Sequence, residues 1–416
     1  MKQFSSKKAR GFTESVIREM TRVCLEHKGI NLAQGFPDFP APEAIKEAAV
    51  RAIRQDFNQY SITWGTPGLR RAIAEKFAAY NGVRIDPERE ITVCCGSTEG
   101  MIASLVAMVD PGEEVIVLEP YYENYGPDTI LCGATPRFVT LHEPDWHFDG
   151  KELSRAFNDK TKAIVINTPN NPTGKVFSRE ELEFIGKLCM KWNVAAVTDE
   201  IYEHILYDGV EHVSMASIAG MEDRTVTVNS VSKTYGLTGW RVGWIIAPAT
   251  ITDSIRKVHD FLTVGAPHPL QEASALALAM DEAYYKKLAA DYREKRDVLL
   301  MALEDAGFRT YKPSGAYYIM TDVSHWGVTD DVEFSLRLIH EGGVATVPGS
   351  AFYSRRETGK GKIRFCFPKK PETLAEAGKR LRRFNLTERR KEQHNEKPLR
   401  REAAKKDLTQ RRQEKN

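Results

Sequence analysis

Residues 229–244 read NSVSKTYGLTGWRVGW, a run of small, polar and apolar side chains that holds one lysine, Lys233, and one arginine, Arg241. Charged side chains are seldom buried without a partner, so the pair asks for a ligand. A lysine that is desolvated or set beside other cations loses its proton and attacks carbonyls to form a Schiff base. A guanidinium stays charged and suits a phosphate. Ser230, three residues before the lysine, would add a hydroxyl to the same anion. A phosphorylated aldehyde would use all three.

Pyridoxal phosphate is such a molecule, and its ring nitrogen needs a carboxylate partner if the ring is to act as an electron sink. Asp199, near the end of the apolar run VAAVTDE (194–200), offers one. Tyr202 and the amide of Asn171, in NTPNNPTG (167–174), could both donate to the ring's phenolic oxygen. GSTEG (96–100) follows another apolar run and opens a helical pattern, where backbone amides bind anions. Singly, these are ordinary strand ends, turns and caps; their joint occurrence is specific.

Short apolar runs must place these residues. ITVCC (91–95), EVIVLEP (114–120), TPRFVTL (135–141), KAIVINTP (162–169), VAAVTDE, RTVTVNS (224–230) and RVGWIIAP (241–248) read as strands. Several are continuously apolar, as in a mainly parallel sheet covered on both faces. Helical patterns alternate with them, such as SREELEFIGKLCMKWN (178–193) with its serine cap and acidic first turn. The expected architecture is α/β, a large domain with a mainly parallel sheet sandwiched by helices plus a smaller α+β domain. A single long helical stretch from about Pro269 to Ala306 leads to the smaller domain, with strands near GAYYIMTDV and KIRFCFP. The expected divisions are 1–45, an N-terminal segment packing on the small domain; 46–290, the large domain; 291–386, the small domain; and 387–416, a charged tail. Ligands of open parallel sheets collect at the carboxyl ends of strands, and the polar clusters all fall there.

The chain of 416 residues is 42% hydrophobic and 28% charged, an ordinary globular balance. No apolar run approaches the ~18 residues of a membrane span, and the charged N-terminus lacks a secretory h-region. Six scattered cysteines have no metal-ligand spacing, and the Cys94–Cys95 pair reads as buried free thiols, so a cytoplasmic setting is expected. The net charge of +2 hides a basic tail: residues 387–416 hold eleven Lys/Arg against six Asp/Glu and four apolar side chains. That composition favours a solvated, disordered or transiently helical tail over a nucleic-acid or membrane contact.

The set TPNNPTG, DEIY, SVSKTYGLTGWRVGW and IRFCF, in this order, resembles the class I/II aminotransferases of the fold-type-I pyridoxal-phosphate enzymes. The likeness runs from NLAQGFPDFPAP (31–42) to the helix ending near Phe384. It implies that Lys233 carries the cofactor and, once displaced by substrate, shuttles a proton between the α-carbon and the cofactor. Asp199 would pair with the ring nitrogen, and Tyr202 and Asn171 with the phenolate oxygen. Ser230, Arg241, Ser97 and Thr98 would hold the phosphate, and Tyr122 would stack on the ring. Tyr60 matches a tyrosine that reaches the phosphate from a partner subunit, which implies a homodimer with shared sites. Arg364 would grip the substrate's α-carboxylate, with Asn171 and the backbone near Gly35 close by.

The implied reaction is ping-pong transfer of an amino group from an L-amino acid to a 2-oxo acid. CGSTEGM lacks the lysine with which some aspartate-specific relatives meet a second carboxylate. The segments around Phe36, Tyr60 and Tyr122 look most like the kynurenine/glutamine, methionine and N-succinyldiaminopimelate branch. Phe36, Tyr121, Tyr122, Tyr125 and Tyr202 would form an aromatic-rich pocket for aromatic or long apolar side chains. The alternatives are an aspartate or N-succinyldiaminopimelate aminotransferase, or a C–S β-lyase on the same site. A pyridoxal-phosphate ligand sensor is expected to carry a winged-helix module, for which the roughly 30 residues ahead of INLAQGF are too few, and a nicotinamide dehydrogenase a G-x-G-x-x-G turn, which CGSTEGM does not spell. A scaffold role through the basic tail is the third rival.

Overall fold

The computed structural model describes residues 4–387. After β1 (Ile30–Asn31), eight strands form one sheet: β2 (Ile91–Cys94), β3 (Glu114–Glu119), β4 (Thr135–His142), β5 (His147–Phe148), β6 (Thr161–Asn167), β7 (Ala195–Asp199), β8 (Thr225–Ser230) and β9 (Gly243–Ile246). Their order is β2-β9-β8-β7-β6-β3-β4-β5. The ladders from β8 to β4 are parallel, while β9 runs antiparallel to both β2 and β8.

Strand alternation explains why both faces are apolar. Ile116, Leu118, Ile164 and Ile166 pack with Leu182, Ile185 and Cys189 of the helix Arg179–Trp192 on one side. Val115, Val117, Ala163 and Val165 pack with Met101, Leu105 and Ile255 on the other. A period of two sends neighbours to opposite faces, so a strand covered on both must be apolar throughout. The helix Arg179–Trp192 starts in a capping box, Ser178 with Glu181, as its sequence implies.

The smaller sheet is antiparallel, β10 (Arg309–Tyr311), β11 (Tyr318–Asp322), β13 (Val347–Pro348) and β14 (Lys362–Cys366), in the order β10-β11-β14-β13. Between them β12 (Val344–Ala345) pairs with β1. Helix α1 (Val16–Glu26) sets Ile17, Met20 and Cys24 against Ile339, Val347, Phe352 and Tyr353. The start of the chain thus docks beside the small sheet. The stretch expected as one long helix is two, His268–Leu278 and Glu282–Asp305, because the Asp281 side chain accepts from the Tyr284 amide and begins a new helix. All six cysteines are free thiols. No helix among the described residues is long and apolar enough to cross a membrane. Beyond Thr387 the expected tail lies outside the described residues.

Helices α2 (Glu43–Arg54) and α3 (Pro67–Asn81) precede the sheet, and α4 (Gly96–Met108) leaves its second strand. The antiparallel β9 decides where the chemistry gathers. Strands β2, β3, β6, β7 and β8 end at one edge of the sheet, and β9 begins there. The turn carrying Lys233 leaves β8 and returns into β9, so Arg241 arrives at the edge that Lys233 occupies. Close approach of β9 to α4 requires glycine: a Cβ on Gly243 would lie 2.6 Å from the Gly96 carbonyl carbon and 2.7 Å from the Ser97 nitrogen. Gly243→Ala should therefore cost about 1–3 kcal/mol in urea unfolding and weaken anion binding at the first turn of α4. An unfolding midpoint equal to the parent's would contradict that account.

Candidate active site

The shared edge borders a cavity of about 410 Å³. Asp199 ends β7 and is 7% exposed. Its Oδ2 accepts from the Tyr125 hydroxyl at 2.8 Å and its Oδ1 from the Ile201 amide at 3.3 Å. Burial pushes its pKa up to about 6, against those two donors and the Lys233 charge. Lys233 shows the converse. Burial brings its ammonium down to about 8; Asp199 opposes this, and Arg241 and Arg364 add to it. Its Nζ lies 3.4 Å from the Gly35 carbonyl oxygen and 5.9 Å from the centre of the Tyr202 ring.

Arg364, on β14, is 1% exposed. One terminal nitrogen donates to Asn171 Oδ1 at 2.7 Å, the other to the Ala33 carbonyl, and the guanidinium lies 4.3 Å from the Tyr318 ring centre. Its Nε is buried without a partner. With Asn171 Oδ1 so engaged, the amide nitrogen is its remaining donor. The Asn171 backbone donates to Asn167 Oδ1 at 2.6 Å, and Asn167 Nδ2 to the Asp199 carbonyl at 2.9 Å, which ties the ends of β6 and β7 together. Tyr202 shares a 2.9 Å hydrogen bond with Tyr318. A Cβ on Gly35 would collide with Tyr318 and Tyr317, so only glycine fits there.

At the other end, Ser97, Thr98, Ser232, Thr238 and Arg241 line the cavity. Arg241 has φ +56° and donates to the Thr238 carbonyl at 3.0 Å and the Cys95 carbonyl at 3.3 Å. Gly96, at φ +79°, is where its guanidinium fits: a Cβ there would strike it. Ser232 Oγ is buried with no partner.

The cavity brings together Lys233, Asp199, Tyr202, Asn171, Ser97, Thr98, Tyr122, Arg241, Gly35, Phe36 and Arg364. Ser230 Oγ accepts from the Ser232 amide at 3.1 Å, which leaves its hydroxyl proton free to donate; two residues on, Ser232 lines the cavity itself. Tyr121 is a correction: its ring stacks on Phe138 with centroids 5.2 Å apart and does not line the cavity. Tyr60 does not reach this chain's cavity and is 86% exposed. Sequence reasoning missed Tyr125 as the donor to Asp199, Asn167 as the strand tie, and Tyr318. Only spatial neighbours give those roles, though Asn167 does close an apolar strand as Asp199 does.

The model of the family described as aminotransferase class I and II matches residues 27–381. The chain belongs to that family. It is 36% identical to human kynurenine–oxoglutarate transaminase 1, over 92% of this chain and 99% of the relative. It is 36% identical to the methionine aminotransferase of Escherichia coli K12, over 89% and 96%. The solved N-succinyldiaminopimelate aminotransferase of Mycobacterium tuberculosis superposes with a TM-score of 0.89 at 36% identity, covering 91% of this chain and 99% of that one. This family member is a pyridoxal-phosphate-dependent aminotransferase of fold type I, acting on amino and 2-oxo acids. Its own residues fit the cofactor: an orphaned Ser232 hydroxyl beside Arg241 at a helix N-terminus suits the phosphate. A desolvated amine suits the aldehyde, and a buried carboxylate suits the ring nitrogen.

The Asp199 environment sets a pH signature. A carboxyl that ionises less readily folded than unfolded loses stabilising effect as pH rises from 3.8 through about 6. Asparagine does not titrate, so the stability of Asp199→Asn relative to the parent, measured on apoprotein, should rise between about pH 4 and pH 7.5. Turnover should fall roughly 10²–10³-fold. A pH-independent stability difference would count against the buried, strained carboxylate.

Proposed function

We propose that this aminotransferase moves an amino group from L-amino acids with aromatic, methionine-, glutamine- or kynurenine-like side chains to a 2-oxo acid, in a ping-pong cycle at the cavity above. The observation that carries this reading is the placement of Lys233, Asp199 and Arg364 around one cavity, with Asn171 joining the arginine to the strand ends. Tyr122, Phe36, Tyr202 and Tyr318 give that cavity aromatic walls, which favours large apolar side chains.

In this reading Arg364 takes the substrate's α-carboxylate through its fork, which fixes the α-carbon near Lys233. When bound, pyridoxal phosphate supplies an electron-withdrawing ring that acidifies the α-proton. Lys233, brought near neutrality by burial, accepts that proton as an amine and gives one back as an ammonium. With that group bound, Asp199 would hold positive charge at the ring nitrogen, Tyr202 and the Asn171 amide would donate to the phenolic oxygen, and Ser97, Thr98, Ser230, Ser232 and Arg241 would hold the phosphate. The bound cofactor would keep the amino group between release of the first 2-oxo acid and arrival of the second, which makes the cycle ping-pong.

We also propose a homodimer, and a cytoplasmic setting in keeping with six free thiols. Tyr60, Ile62, Phe261, Leu262 and Val264 are exposed large apolar side chains. The segments bearing them are joined by His259 to the Thr63 carbonyl at 2.8 Å and Gln271 to Ser61 at 3.0 Å. Such a contiguous patch is a docking face, and Tyr60 on it would reach the partner's phosphate site.

Four measurements test the proposal. Amino donors should bleach the cofactor's visible band and 2-oxo acids restore it, with the strongest response to aromatic or methionine-like donors; a response confined to aspartate would reassign the substrate. Lys233→Ala should retain the cofactor noncovalently yet lose turnover, and near-parental turnover would remove that lysine from the chemistry. Arg364→Ala should weaken substrate carboxylate binding by about 2–5 kcal/mol; unchanged KM values would return Arg364 to a structural role. Phe261→Asp should halve the mass seen by sedimentation and depress activity, whereas an unchanged mass would place the dimer face elsewhere.

A further inference from the structure

The first turn of α4 carries an acid where an anion is expected to bind. Glu99 stands there after Ser97 and Thr98 and is 8% exposed. Its Oε2 accepts from the Cys95 amide at 2.9 Å, while Arg241 donates to the Cys95 carbonyl at 3.3 Å. A carboxylate at a helix N-terminus is favoured by the dipole, but it opposes a second anion drawn to the same amides.

His259, on the helix Ala249–Thr263, offers the balancing charge. It is fully buried, with Nδ1 3.0 Å from Glu99 Oε1 and Nε2 2.8 Å from the Thr63 carbonyl oxygen. A carboxylate and a carbonyl only accept, and a neutral imidazole has one N–H to give, so the imidazolium alone serves both. Burial lowers its pKa, but Glu99 and the Thr63 carbonyl outweigh that and leave it raised above 6.5. The other groups facing the ring are few. Its own helix adds Asp260, which favours the charge, and the Thr263 hydroxyl, 3.4 Å from Nδ1. Arg256, three residues back, lies against Trp64 instead. On β2 the Cys94 thiol is kept neutral by burial, and burial likewise raises Cys95 at the head of α4.

We propose that His259 is a positioning residue for the phosphate end of the cavity: as an imidazolium it balances the Glu99 carboxylate, so that Ser97, Thr98 and Arg241 can receive an anion at that turn. The inference rests on the cofactor phosphate lying there. His259 acts through Glu99, since it does not itself line the cavity. Below 6.5 the imidazolium is complete. As pH rises through its raised value the proton leaves, Glu99 stands unbalanced, and phosphate affinity falls.

The test measures dissociation constants of pyridoxal phosphate, and of pyridoxal without the phosphate, on the full-length protein by the absorbance of the bound aldehyde. The variants are His259→Gln, Glu99→Gln and the two combined, each at about pH 6 and about pH 9. At the lower pH His259→Gln should weaken pyridoxal phosphate about tenfold. That loss should shrink at the higher pH, where the parent has shed the proton too, and pyridoxal should be weakened far less at both. Adding Glu99→Gln to His259→Gln should restore most of the affinity, because the charge that needed balancing is gone; a merely structural histidine would not be rescued in this way. Glu99→Gln alone should bind pyridoxal phosphate more tightly than the parent at the higher pH, which decides the matter if His259→Gln does not fold. Equal losses for the two aldehydes, a loss that is the same at both pH values, no rescue in the double variant, or no tightening in Glu99→Gln overturns the assignment. Arg241→Gln is the control for the reading beneath it. If that change spares pyridoxal phosphate, the phosphate lies elsewhere and the reading itself has failed; if Arg241→Gln tells the aldehydes apart and His259→Gln does not, only His259 is removed.

Discussion

Burying an amine and a carboxylate in the same cavity is the constraint on which the rest of this molecule turns. Lys233 and Asp199 each ionise less readily than they would in water, and in both the dominant cause is loss of solvent. Neither could be kept so without scaffolding that satisfies every other polar group nearby. Tyr125 and the Ile201 amide serve Asp199; Asn167 ties the strand end behind it; Asn171 and the Ala33 carbonyl serve Arg364. The exceptions, Ser232 Oγ and Arg364 Nε, belong to residues that face the cavity. Unmet donors at a ligand site are the expected sign of what the ligand brings.

Sheet topology converts this local demand into a fold. Five strands ending at one edge supply loops with polar tips, and the reversed β9 brings back a sixth segment bearing Arg241. The small sheet closes the cavity with Tyr318 and Arg364, which stand on the adjacent antiparallel strands β11 and β14. Rigid strand ends hold the reacting groups, while the start of α1, attached through Glu123, lines another part of the cavity.

Much of this was legible in the sequence because its signals are local. Continuous Val/Ile/Ala runs betray strands covered on both faces, and Lys233, Asp199, Asn171 and Arg364 each stand in a short motif at the end of or within such a run. Ser232 shows where locality fails. It stands one residue before the lysine, yet only the turn after β8 shows that its residue lines the cavity and that its hydroxyl is left without a partner. Tyr121, Tyr122 and Tyr125 stand within five residues of each other, yet one packs on Phe138, one lines the cavity and one supports Asp199. The break at Asp281 was readable as a cap, but the helical pattern on either side masked it.

The pairing of β1 with β12 joins Ile30 to Val344 and Asn31 to Ala345, and the Gly35 carbonyl next to it accepts from both Lys233 and Tyr317. Contacts between such distant points of a chain form late and slowly. During synthesis the large sheet can assemble as soon as β9 leaves the ribosome, but the cavity's outer wall waits for the last strand. Until then Lys233 keeps its water and its proton, so the amine gains its reactivity only when β14 arrives and closes the cavity over it.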